Sequence, residues 1–141
     1  MNKKSGWKHF HHIADIGIKG FGSSVETAFT QAALAMTAVI TELERVDNNI
    51  CIDIVCESED LEYLFIDWLN ALIYEMATRH MLFSQFDLQI HNGHLNAKVC
   101  GEQVDREKHQ PAVEIKGATL TELSVQKDKE DHWLAQCVID V

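Results

Sequence analysis

The dipeptide Asn92-Gly93 stands between two runs of strict alternation, and no other stretch constrains the fold as tightly. Before it, Phe86, Leu88 and Ile90 alternate with Gln85, Asp87 and Gln89; after it, Leu95, Ala97 and Val99 alternate with His94, Asn96 and Lys98. Asn-Gly suits a two-residue type I′ turn, whose central residues both need positive φ. Alternation at period two turns one face of each strand toward a core. The stretch therefore reads as an antiparallel hairpin with one apolar face, and that face needs a cover.

Two amphipathic helices are legible as the cover. Ser23-Ser24-Val25-Glu26 matches a capping box with Ser23 as N-cap, and Val25, Phe29, Ala32, Met36 and Val39 follow at helical spacing. Ser58-Glu59-Asp60 opens a second helix with acids where the dipole favours them; Leu61, Phe65, Trp68, Leu72 and Met76 form its stripe, and Arg79 and His80 close it. Residues 8–12, 14–21 and 49–57 read as strands, the last with Ile50, Ile52, Ile54 and Cys56 on one face. A polar loop is expected from Gly101 to Pro111, then strands at Val113–Lys116, Leu123–Gln126 and Trp133–Val141, the last two joined across Asp128–Asp131. The order predicts an α+β two-layer sandwich, two helices on one face of a mainly antiparallel or mixed sheet. No linker or repeat divides residues 1–141, so a single domain is expected, with residues 1–6 as a flexible lead-in.

Charge and cysteine usage narrow the function. Lys and Arg number 12 against 22 acids, a net charge of −10, which argues against strong direct nucleic-acid binding. No run approaches the roughly 18 apolar residues of a membrane span, and no signal peptide is legible at the N-terminus. Cys51, Cys56, Cys100 and Cys137 show no Cys-x-x-Cys pairing and read as free thiols of a cytoplasmic protein.

The chemistry concentrates at the last residues. In Ile139-Asp140-Val141 an Asp side chain and the terminal α-carboxylate lie one residue apart, at the end of a strand. Hard divalent cations take several oxygen ligands, with carboxylates supplying the charge. Asp15, in His12-Ile13-Ala14-Asp15-Ile16-Gly17, is the best candidate for the remaining part of such a site. His9, His11 and His12 suggest a transition-metal alternative, with His9 and His11 on one strand face, but no further ligand sits at suitable spacing. Gly17, Gly20 and Gly22 lack the spacing of a phosphate loop. No nucleophile motif is present, and nothing sets Asp15 and Asp140 apart as acid and base.

The string His12-Ile13-Ala14-Asp15-Ile16-Gly17 resembles the archease signature, usually His-Thr-Ala-Asp-Ile-Gly. The similarity continues through Ala32–Met36, Asp60–Asn70, Leu82-Phe83-Ser84, Gly101-Glu102, Arg106–His109, Glu114-Ile115-Lys116 and Val138–Val141. The resemblance implies an accessory protein, not an enzyme, that acts with a GTP-dependent RNA-splicing ligase in tRNA splicing or RNA repair. It would promote guanylylation of the ligase's histidine and multiple turnover. The resemblance also implies a divalent cation, Ca²⁺ foremost with Mg²⁺ or Mn²⁺ as alternatives, held by Asp15, Asp140 and Val141, and an activating lysine that Lys116 fits. A chaperone-like binding module that stabilises a partner is the alternative, and a metal-dependent hydrolase on Asp15 and Asp140 a third. The chain departs from the pattern at Ile13, where the family has Thr, and at Gly117–Thr121, where it often continues apolar-Thr-Tyr-His.

Overall fold

The computed structural model describes residues 5–141. The expected turn is present: Asn92 and Gly93 have φ of 49° and 78°, joining β4 (Met81–His91) to β5 (His94–Gln103). Strand β3 (Ile50–Glu57) pairs with the other edge of β5, giving a three-stranded antiparallel sheet in the order β3-β5-β4. The inner row of β5, Leu95, Ala97 and Val99, is buried.

A second antiparallel sheet holds the rest. Strands β1 (Gly6–His12) and β2 (Asp15–Gly22) form a hairpin; β2 then pairs with β8 (Trp133–Asp140). The far edge of β8 takes β6 (Gly117–Ala118) and β7 (Ser124–Lys127). The class is α+β as expected, but two sheets replace the single sheet, and among the described residues every pairing is antiparallel.

Helix α1 (Val25–Ile40) packs on β2 and β8 and also on β4, and α2 (Leu61–Arg79) reaches β3, β4, β6 and β7. The helices therefore join the sheets through one core. Phe29 and Phe65 meet with ring centroids 5.0 Å apart, and buried Trp68 donates Nε1–H to the Phe29 carbonyl at 3.1 Å. Gly20 lets α1 cross close to β2, since a Cβ there would overlap the backbone of Ala28 and Ala32.

Local differences have local causes. Ser24, not Ser23, is the N-cap of α1 and accepts from the Thr27 amide at 3.1 Å. Glu26 therefore falls one position short of where a capping box needs it. Asp60 caps α2 through the amides of Glu62 and Tyr63. Gly6 belongs to β1, opposite Phe21, so the lead-in does not extend through it; residues 1–4 lie outside the described residues. The polar loop contains a helical turn, α3 (Arg106–His109), with His109 buried. No strand forms at Val113–Lys116: buried Ile115 sets that alternation, and pairing begins only at Gly117.

Cysteine is a further correction. Cys51 and Cys100 are direct cross-strand partners on β3 and β5 and form a disulfide, with Cα atoms 4.1 Å apart. Cys56 and Cys137 are free and buried. Burial first, and the Asp67 charge second, push the Cys56 thiol up to about 11; burial pushes Cys137 up to about 12. Neither is poised as a nucleophile. Among the described residues no helix is long and apolar enough to cross a membrane.

Candidate metal centre

Three strands bring the predicted residues to one corner of the larger sheet. The β1–β2 hairpin closes on the pair His12 and Asp15 around Ile13 and Ala14. Ala14 has φ of 59°, a left-handed conformation that is uncommon for a residue with a Cβ. Ile13 points away, 83% exposed.

Strand β8 runs antiparallel to β2 with Ile16 opposite Ile139. One step further in that register, Asp15 stands opposite Asp140. Directly opposed residues carry their side chains on one face, Cβ atoms ~5 Å apart, and like charges so placed destabilise the sheet. Asp15 is half-buried and Asp140 exposed. Among the described residues neither makes an ion pair. A cation between them would convert that repulsion into attraction.

The other edge of β8 delivers Lys116. Gly117 is the cross-strand partner of Asp140, and the Lys116 amide donates to the Asp140 carbonyl at 2.8 Å. The same register places exposed Lys116 opposite Val141, the last residue of the sequence, which packs partly against the core. Asn70 of α2 fixes this edge by accepting from the Ala118 amide at 2.9 Å. The fold thus brings the backbones of Asp15, Asp140, Val141 and Lys116 to one corner, with Lys116 in the row of Val141 and not in that of the two aspartates.

Carboxylate oxygens are the donors that a hard cation takes. Among the described residues no three His, Cys, Asp or Glu side chains form a metal cluster. A cation here would therefore need oxygen beyond the two Asp side chains, and Val141 is the residue next to Asp140 in the chain. The histidines do not assemble: His9 and His11 lie on the face opposite His12, and His9 Nε2 is bonded to the Ala35 carbonyl at 2.7 Å. Gly17 serves packing, since the Phe10 ring occupies the space a Cβ would need. Asn70 was not legible as a neighbour of this corner, because it carries no local motif that announces the contact.

Known proteins share this architecture. Residues 7–141 match the model of the archease protein family (MTH1598/TM1083). An archease of Pyrococcus furiosus is 36% identical over 139 residues, covering 96% of this chain and 98% of its own length. One from Methanosarcina barkeri is 32% identical over 140 residues, covering 96% and 95%. The solution structure of Methanobacterium thermoautotrophicum protein 1598 is similar with a TM-score of 0.79 and 27% identity, over 96% of this chain and 99% of that one. The crystal structure of an archease and possible chaperone from Thermotoga maritima shares the fold, with a TM-score of 0.63 and 19% identity over 95% and 96%. With its full architecture matched and the signature residues gathered at one corner, the chain belongs to the archease protein family.

Proposed function

We propose that this protein is a metal-binding cofactor of a GTP-dependent RNA-splicing ligase in the cytoplasm, promoting the ligase's guanylylation and multiple turnover in tRNA splicing or RNA repair. The observation that carries the reading is the convergence of Asp15 and Asp140 from two strands beside Lys116. Asp15, Asp140 and the Val141 α-carboxylate would hold a divalent cation, Ca²⁺ foremost. Bound there, such an ion supplies concentrated positive charge able to neutralise phosphate oxygens. Lys116, exposed and anchored through its own backbone, adds a second positive group on a flexible stem. Presented to a partner's nucleotide pocket, the two would orient a triphosphate for attack by the partner's histidine. The chain itself is then an activator and not an enzyme.

The test is formation of ligase–GMP with a cognate ligase. Substoichiometric protein should accelerate it over many turnovers, and Lys116→Ala should remove most of the acceleration while leaving the fold intact. The chaperone-like reading, which the description of the Thermotoga maritima relative favours, expects protection only at one equivalent per ligase. A strict one-to-one requirement, or full activity of Lys116→Ala, would overturn the activator reading.

A further inference from the structure

The face that carries Asp15 and Asp140 bears a second like-charge pair farther along the same hairpin. Lys8 of β1 and Lys19 of β2 are direct cross-strand partners, so their side chains leave one face from adjacent positions. Such a pair destabilises a sheet unless something neutralises it. The chain has 22 acids to draw on, yet this row contains none: the β8 partner of Lys19 is Gln136, whose β7 partner is Ser124. Among the described residues neither lysine makes an ion pair. Lys19 Nζ stands over the Phe10 ring, 6.0 Å from its centroid.

Beside the pair a hollow of about 610 Å³ opens, lined by both lysines, within the range of small-molecule sites. Phe21 and Leu134, cross-strand partners one row further on, give it an apolar floor. At its rim, the Nδ1 atom of His132 is buried without a hydrogen-bond partner. The nearest acid oxygens, of Glu130 and Asp128, stand 3.7 and 3.8 Å away. Adjacent cations call for an anion with several oxygens, and the floor for a flat body.

We propose that this hollow binds a nucleoside phosphate. The phosphate lies across Lys8 and Lys19 in charge-assisted hydrogen bonds, and the base rests on Phe21 and Leu134. The site needs neither a cation at Asp15 and Asp140 nor the ligase partner. The same chemistry is offered by a free nucleotide and by the phosphorylated end of an RNA strand.

Calorimetry on the full chain, with chelator present, tests the site using ADP, adenosine, pyrophosphate and a short oligoribonucleotide with and without a 5′-phosphate. ADP should bind saturably and tighter than adenosine or pyrophosphate. The double variant Lys8→Gln/Lys19→Gln should weaken ADP by at least roughly tenfold, with its circular dichroism unchanged. A 5′-phosphorylated strand outcompeting ADP would assign the RNA end as the source, and the reverse order a free nucleotide. Pyrophosphate binding as tightly as ADP, an unchanged affinity in the double variant, or no saturation would overturn the site.

Discussion

Asp15 and Asp140 are placed by backbone register, while the charge that makes them a candidate site belongs to the side chains. Asp15 opens β2 and Asp140 closes β8, one step beyond the Ile16–Ile139 pair at which the ladder between the two strands ends. Ala14, with φ of 59°, holds the hairpin that delivers Asp15. If Val141 contributes its α-carboxylate, appending one residue replaces a full negative charge by a neutral amide carbonyl. Ca²⁺ affinity follows ligand charge, so the extension should weaken binding by at least roughly tenfold, about 1.4 kcal/mol. Asp15→Asn should weaken it for the same reason, and thermal stability with chelator present should barely change in the extended protein. Titration of Ca²⁺ into the native and extended proteins checks this; equal affinity would exclude the Val141 carboxylate as a ligand.

At the scale of elements, the segment between β5 and β6 is held by one carboxylate. Glu102 accepts from Lys108 Nζ at 2.7 Å, the Asp47 amide at 2.9 Å and His109 Nε2 at 2.9 Å. The His109 ring carries its proton on Nε2, because Nδ1 accepts from the Asp105 amide at 2.8 Å. Thr41, just after α1, donates to the His109 carbonyl at 2.6 Å, so α1, β5 and α3 are tied at one point. The hydrogen bond from Lys108 first, then the one from the Asp47 amide, hold the Glu102 carboxyl at about 2, well below its ordinary 4.5. A depressed carboxyl stabilises the fold fully above its unfolded pKa, and that contribution is lost as pH falls through about 2. Glu102→Gln should cost ~1–3 kcal/mol at neutral pH. In urea unfolding its deficit should shrink as pH falls from 4.5 toward 2. A deficit constant across that window would mean that the Glu102 charge contributes nothing.

For the whole molecule, the division into two sheets decides which cysteines meet. Cys51 and Cys100 are brought opposite each other by the pairing of β3 with β5, whereas Cys56 and Cys137 are enclosed separately. Protein unfolded without reductant should therefore take up two alkyl groups per chain, rising to four after reduction, by intact mass. Four groups without reductant would place the pair in its dithiol form under those conditions. The helices bind the sheets into one cooperative unit, because α1 covers β2, β8 and β4 together. Unfolding should accordingly appear as one transition by both fluorescence and circular dichroism.

The sequence by itself determined what depends on neighbours a few positions apart. Asn92-Gly93 dictated its turn, the α2 stripe dictated the buried face of that helix, and Asp60 served as its cap. Adjacent serines left the α1 cap ambiguous by one residue, since either hydroxyl can reach an amide of the first turn. The candidate residues Asp15, Asp140 and Val141 were legible through carboxylate spacing and family resemblance, and Lys116 through the resemblance alone. Only the tertiary structure decided that they share a corner, because antiparallel pairing of β2, β8 and β6 joins segments from opposite ends of the chain. The split of the sheet, the Cys51–Cys100 partnership and the burial of His109 are likewise set by long-range register and packing. No local periodicity carries such information, since the physical cause of each contact lies in a strand or helix distant in sequence.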